Sequence, residues 1–226
     1  GQLSILMLAE IFECQGMEVV SANTDGLVVY YKDEEEEKLN YWIKYWEDQT
    51  HFQLESVDYS AYYARDVNAY FAVKKDAKDL KDIKVKGPYS EVGSQSGTQL
   101  DNNPIYLICS DAIKQFLIDG TPVEKTIREC KDFTRFLVVR NVKGGAAFRN
   151  EYLGKVVRWY YSNKSYDYIQ YVTSGNKVAD SDNCMPCMDL PQQIPEDLNY
   201  DFYIDKCREI LIDIGYYQRP KQVSFF

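Results

Sequence analysis

The chain is poor in histidine, and His51 is the only one among its 226 residues. A Ser-His-Asp triad would have to use this residue, and a histidine-rich zinc site is excluded. The following segment, 52–57, has the pattern of a strand. Because the sequence places no partner near His51, we interpret it as a structural residue.

Long apolar runs are missing as well. The longest, Leu3 to Phe12, is interrupted by Ser4 and Glu10 and is shorter than the about 18 residues of a membrane-spanning helix. No secretory leader is recognisable, and the six cysteines are mostly scattered. These absences predict a cytoplasmic protein that keeps its thiols reduced and has no membrane span.

The motifs for zinc and nucleotide binding are incomplete. Cys184 and Cys187 have the spacing of half a zinc site or of a redox pair, but no second pair and no nearby histidine completes it. Lys143-Gly144-Gly145 lacks the spacing of a P-loop. Paired glycines still let a backbone approach a phosphate closely. The predicted phosphate contacts of the second half are therefore Lys143, Lys155 and Arg158.

Composition predicts a folded protein of one or two domains, because 45% of the residues are hydrophobic and 15% are aromatic. The net charge of -9 argues against nucleic-acid binding by the whole surface. The charges are unevenly distributed, however. Acids concentrate in 33–37 and 180–205, whereas cations gather in 74–86 and 135–164. A basic groove on an acidic protein is compatible with this distribution.

Apolar periodicity predicts both helices and strands. A helix over 3–11 should end at Gly16, and its uniformly apolar residues predict that it is buried against the sheet rather than lying on the surface. Further helices are expected over 104–118, 121–133 and 201–214. Strands are expected over 59–63, 67–73, 83–86 and 136–142, the last of them ending at the glycine pair. The run Arg158-Trp159-Tyr160-Tyr161 is either core or a surface that stacks on nucleotides, and core is the commoner use.

One hairpin stands out. Two β-prone runs, 19–22 and 27–31, are joined by Asn23-Thr24-Asp25-Gly26, and these turn residues tolerate a tight bend. Asp25 then lies at a corner held by two paired strands. Such a carboxylate is either an ordinary turn former or a fixed ligand for a divalent cation.

The hairpin resembles the catalytic palm motif of family B DNA polymerases, which is usually Asp-Thr-Asp between two strands. Asp25 matches the second acidic position, which binds both metal ions, whereas Asn23 replaces the first acid. Phage-type members resemble the chain at further motifs in the same order, which are 65–70, 84–87, 142–145, 151–161 and 175–178.

The resemblance implies an α+β fold in two domains. Residues 1–92 would be the C-terminal part of the palm, an antiparallel sheet with packed helices. Residues 93–226 would be the thumb, mostly helical with a small β element. The boundary is expected at a Gly-, Ser- and Asn-rich segment.

The resemblance also implies site residues. Asp25 would be the catalytic metal ligand for Mg²⁺ at a two-ion site that this chain does not complete. Primer and duplex contacts would come from Arg65, Asn68, Tyr70, Lys84, Lys86, Lys143, Lys155 and Arg158. Lys84 and Lys86 alternate along one strand and therefore share a face. Asn68 stands where lysine is common, and Arg65 is the expected nearby cation.

Two motifs of the family do not occur in this sequence: the earlier acidic strand motif and the lysine-bearing helix that holds the nucleotide triphosphate. We therefore expect part of a DNA-directed DNA polymerase, inactive alone, that needs N-terminal polymerase regions, primer-template DNA and dNTP. Two alternatives stay open. One is a small metal-dependent nuclease that uses Asp25 with Asp66 or Glu55. The other is a noncatalytic accessory subunit that kept the fold.

Overall fold

The computed structural model describes residues 2–90 and 106–217. Contacts divide the chain into two compact units, Gly1–Asp58 and Tyr59–Phe226. Helices and antiparallel sheets occur together, so the α+β prediction is confirmed. The predicted boundary at 92/93 lies outside the described residues and stays a prediction. Among the described helices, none has the length and apolar character to cross a membrane.

Unit 1 combines two helices with a hairpin. Its elements are α1 (Gln2–Cys14), β1 (Glu18–Ala22), β2 (Leu27–Tyr30) and α2 (Glu36–Thr50), with a 3-10 turn at Asp33–Glu35. Gly16 ends α1 in the left-handed conformation predicted for it, with φ of 79°. The Trp46 indole donates to the carbonyl of Ser4 at 2.7 Å and so ties α2 to α1.

The core of unit 1 is small. Its fully buried hydrophobic residues are Leu8, Phe12, Met17 and Trp46. Helix α1 buries Leu8 and Phe12 in this core, beside residues of the hairpin strands, but its Leu3 and Leu6 are exposed. A two-stranded sheet and one other helix cover only one face of α1 within this unit.

The predicted strand over 52–57 is also wrong. His51 instead closes α2 in a left-handed conformation, with φ of 60°. Residues 51–58 have no regular structure, since they fold back on α2. Phe52 stacks on Trp46 at 6.2 Å between ring centroids, and the Leu54 amide donates to the Glu47 carboxylate at 2.8 Å.

In its described residues, 59–90 and 106–217, unit 2 contains two antiparallel sheets and three α-helices around one core. The first sheet has the order β3 (Tyr59–Asp66), β4 (Ala69–Lys74), β5 (Ile83–Lys86). The second sheet has the order β8 (Gln170–Tyr171), β6 (Val138–Phe148), β7 (Glu151–Tyr161), β9 (Cys184–Pro186). The helices are α3 (Leu107–Asp119), α4 (Val123–Glu129) and α5 (Tyr200–Asp213).

Several boundaries in unit 2 differ from those expected. Pro122 is the N-cap of α4 without a side-chain capping bond, and the helix ends at Glu129 rather than at 133. Strand β6 does not stop at the glycine pair but continues to Phe148. Gly144 and Gly145 adopt φ of 83° and 89°, which lets the strand bulge and resume pairing.

The aromatic run at the end of β7 belongs to the core. Trp159, Tyr160 and Tyr161 are buried, which confirms the commoner of the two interpretations. Cys184 and Cys187 are also buried. Burial raises the pKa of the Cys184 thiol to about 12 and keeps it protonated near neutral pH.

Candidate functional site

Asp25 lies at the corner of the β1–β2 hairpin, as the sequence predicts. Ala22 pairs with Leu27, and the Asn23 amide donates to the carbonyl of Gly26 at 2.9 Å. The Asp25 side chain is exposed to solvent. Two paired strands therefore present this carboxylate to water, where a cation can reach it.

The Asn23 side chain forms the turn. Its Oδ1 accepts from the amides of Asp25 and Gly26, both at 2.9 Å, which is the hydrogen bonding of an Asx-turn. The position that is acidic in the resembled family thus has a structural use here. Asp25 is left as a single open ligand, and in the described part of the chain no cluster of three or more His, Cys, Asp or Glu side chains is suited to a metal ion.

Asp66, one of the carboxylates weighed for a nuclease, is committed to a hairpin turn. It accepts from the Asn68 amide at 2.8 Å and pairs with Arg65 at 3.0 Å. The Asn68 hydrogen bond and then Arg65 hold the pKa of Asp66 below its usual value. Glu55, the other candidate, lies in the irregular segment after α2. Asp66 also lies at a hairpin corner, where it pairs with Ala69, but its carboxylate is already engaged by Arg65 and the Asn68 amide. Glu55 has no paired strand beside it.

Lys84 and Lys86 share one face of the first sheet. Their neighbours Ile83 and Val85 pack toward the core, so the two lysines project from the opposite side. Tyr70 pairs with Lys86 across β4 and β5 and lies on the lysines' face. This confirms the prediction that the two lysines share one strand face, and it adds Tyr70 as their neighbour.

Tyr62 belongs to the same face but was missed by the sequence analysis. It pairs with Ala72 in the register, and its ring centroid lies 5.0 Å from that of Tyr70. Only the β3–β4 register reveals this neighbour, since Tyr62 and Tyr70 are separated by a hairpin. We call the surface formed by Tyr62, Tyr70, Lys84 and Lys86 the cationic sheet face.

Arg65 does not join the cationic sheet face. A register shift between Ala64 and Asp66 marks a bulge at Arg65, whose guanidinium lies 5.9 Å from the ring centroid of Tyr89. Tyr89 is buried and stacks on Phe71 in the core, so Arg65 lies on the core side of the sheet. The structure thus separates this cation from the lysines with which it was grouped.

Asn68 occupies the turn between β3 and β4, where its carbonyl lies close to Gly87. A Cβ atom on residue 87 would lie 2.2 Å from that oxygen, and the φ of Gly87 is 82°. Gly87 therefore lets the chain after β5 pass against the hairpin turn. This contact fixes the backbone of Asn68, although Asn68 as a whole remains exposed.

The predicted phosphate contacts of the second half also fall into two classes, exposed residues and one with a structural use. Lys143 and Lys155 are exposed. Asn141 pairs with Val156 and Ala146 with Gly154, so residues 142–145 form a bulge directly opposite Lys155. Arg158 instead donates to the carbonyl of Met188 and is half-buried. The structure thus gathers Lys143 and Lys155 and gives Arg158 a structural use beside β9.

No protein-family model matches this chain, and no curated protein matches it. Function therefore has to be argued from the residues and their geometry.

Proposed function

We propose that this chain is the C-terminal palm and thumb portion of a phage-type family B DNA polymerase, acting in the cytoplasm together with upstream polymerase regions. It supplies one metal-binding carboxylate, Asp25, and contacts to primer and duplex. The observation that carries the proposal is the exposed Asp25 carboxylate at a hairpin corner. The motif resemblance gives that corner its role.

In this role, Asp25 would be one ligand of a two-Mg²⁺ site. When bound, such ions would supply activation of the primer hydroxyl and stabilisation of charge on the transferring phosphoryl group. A single carboxylate does not hold two ions by itself, even where it contacts both. Further ligands would therefore come from an upstream acidic strand. The chain alone is then expected not to extend a primer, and robust Mg²⁺-dependent synthesis by it would contradict this part of the proposal.

The cationic sheet face supports the DNA contacts. Two ammonium groups spaced along one strand suit successive phosphates of a backbone, and the Tyr70 hydroxyl beside them is a hydrogen-bond donor for phosphate or sugar. Lys155 and Lys143 provide a second pair of cations. Both pairs contact backbone rather than base edges, as binding without sequence preference requires.

The test is binding of a labelled primer-template by fluorescence anisotropy at several salt concentrations. The double variant Lys84→Glu with Lys86→Glu should weaken binding and reduce the slope of log affinity against log salt by about 0.9 per lost phosphate contact. Adding Lys155→Glu to this double variant should reduce the slope further, by about the value of one phosphate contact. The matched control reverses two exposed lysines elsewhere, Lys125→Glu with Lys131→Glu. Equal effects of the two double variants would contradict the proposed contacts.

A noncatalytic accessory subunit remains the second candidate. The observation in its favour is Asn23, whose side chain keeps the turn intact without the second acid. An accessory subunit should bind a separate protein tightly, and Asp25→Ala should leave that binding unchanged. The nuclease alternative has less support, because Asp66 is held by Arg65 and by the Asn68 amide.

A further inference from the structure

Tyr152 is an exposed aromatic residue on a paired strand. It lies in β7 opposite Ala147, and 61% of its surface is accessible. Its ring covers Gly145, where a Cβ atom would lie 2.6 Å from Cε2 and 2.9 Å from the hydroxyl oxygen of Tyr152. The absence of a side chain at residue 145 therefore lets the ring lie against the strand.

The backbone beneath the ring is itself fixed. Gly145 is buried, and its carbonyl accepts from the Val172 amide at 3.0 Å. Ala146 and Ala147 next to it pair with β8. A ring held on such a support keeps a defined orientation, which reduces the entropy lost when a planar ligand stacks on it.

Two lysines flank the strand segment on which this ring lies. Lys143 belongs to the bulge that contains Gly145, and Lys155 is opposite that bulge. In the described part of the chain, neither ammonium takes part in an ion pair. The nearest acid in sequence is Glu151, which pairs with Phe148 at the hairpin end. The surface of Tyr152, Lys143 and Lys155, here called the bulge surface, is thus aromatic with a net positive charge.

We infer that the bulge surface binds an unpaired nucleic-acid strand, with a base stacked on Tyr152 and the adjacent phosphates beside Lys143 and Lys155. Aromatic stacking with cations along the backbone is how proteins bind single strands without sequence preference. A base-paired duplex does not offer its base faces for stacking. The inference adds a ligand class to the phosphate contacts of Lys143 and Lys155 and in that respect rests on the proposed function.

The test compares two oligonucleotides by fluorescence anisotropy. One is an oligothymidylate of about twelve nucleotides, which is within the usual site size of such modules. The other is an abasic strand of the same length, which keeps the phosphates and lacks the bases. Stacking on one aromatic residue typically changes affinity by about 5- to 150-fold. Wild type should prefer the oligothymidylate by a factor in this range.

Substitutions at Tyr152 locate the preference. Tyr152→Ala should abolish it while leaving duplex affinity unchanged, and Tyr152→Phe should keep it because the ring remains. Tyr41→Ala is the matched control, since Tyr41 is 64% exposed on α2 in the other unit. The Tyr41→Ala variant should prefer the oligothymidylate over the abasic strand as strongly as wild type does.

Four results would overturn the inference: no preference in wild type, a preserved preference in Tyr152→Ala, its loss in Tyr152→Phe, or its loss in Tyr41→Ala. Failure of the polymerase proposal is recognised separately. If the polymerase proposal is wrong, the double variant Lys84→Glu with Lys86→Glu should bind duplex DNA as wild type does, whatever the comparison with the abasic strand shows.

Discussion

The two units differ in how much apolar surface each one buries within itself. Unit 1 encloses four fully buried hydrophobic residues and leaves several large ones exposed, including Leu3, Val20 and Tyr30. Unit 2 builds one continuous core from the two sheets and three α-helices that its described residues form. Because burial of apolar surface is the main stabilising contribution, unit 1 should have the smaller free energy of unfolding.

This difference bears on the proposed roles. The weaker unit carries Asp25, whose use as a metal ligand would require further protein around it. The stronger unit carries the cationic sheet face and the bulge surface, which need only their own sheets. Metal binding should therefore depend on other regions, whereas DNA binding should be a property of this chain.

The largest expected effect is that of Trp46→Ala. Truncation of a buried aromatic side chain typically costs about 3 to 5 kcal/mol, and here the hydrogen bond to Ser4 is lost as well. We expect unit 1 to unfold while unit 2 stays folded. Hydrogen exchange followed by mass spectrometry should show loss of protection in residues 2–58 only.

The matched variant in the larger core is Phe136→Ala, at a residue that is fully buried against Tyr203. A similar loss of about 3 to 5 kcal/mol should lower the melting temperature of unit 2 and leave it folded at room temperature. If Trp46→Ala were tolerated and Phe136→Ala unfolded its unit, the order of stability would be reversed.

Two glycines offer the next comparison. Gly87 and Gly16 both have left-handed backbones, but a Cβ atom would meet other atoms within 4 Å only at Gly87, where the nearest is the Asn68 oxygen. Gly87→Ala should therefore cost about 2 to 5 kcal/mol, from backbone strain and overpacking. Gly16→Ala should cost about 1 to 2 kcal/mol, from strain alone. Urea denaturation with exchange readout measures both, and equal costs would contradict the close contact.

Alkaline pH should weaken unit 2 through its buried tyrosines. Burial, above all, raises the pKa of Tyr106 to about 12 from an ordinary 10.0. The fold favours the neutral phenol, so this stabilisation is complete below pH 10 and is lost as pH rises through about 12. A shift of this size corresponds to about 2 to 3 kcal/mol. Thermal melts monitored by tyrosinate absorbance should show a smaller alkaline loss in Tyr106→Phe, and no such difference in Tyr41→Phe.

The smallest effect on stability is expected for Asn23→Asp. An aspartate accepts the same two amide hydrogen bonds, so the free energy of unfolding should change by less than about 0.5 kcal/mol. The second carboxylate should nevertheless increase the affinity for Mn²⁺, measured by water-proton relaxation. Adding Asp25→Ala should remove the gain, and a gain that survives it would place the ion elsewhere.

Local patterns sufficed to predict much of the fold. The hairpin around Asp25, strand β5, helix α5 and the left-handed Gly16 follow from turn residues and apolar periodicity, and all occur in the structure. Each of these features depends on neighbours within one turn or one strand pair.

Features set by distant contacts were not predictable in this way. Segment 52–57 alternates like a strand but packs on Trp46, which no local pattern indicates. Arg65 lies on the core side beside Tyr89, a neighbour that the polar motif in the sequence does not indicate. Tyr62 and Tyr152 acquire their neighbours only through strand register, so the cationic sheet face and the bulge surface were each only half visible in the sequence.

The central claim is that Asp25 binds catalytic metal in a DNA polymerase. Its most direct test is Mg²⁺-dependent primer extension by the complete natural product of the reading frame that contains these residues, as wild type and as Asp25→Ala. Loss of an outer-shell partner of a metal typically costs about 10- to 100-fold, so removal of a ligand should cost more than that. Extension by Asp25→Ala at the wild-type rate, or no extension by the wild-type product, would contradict the account.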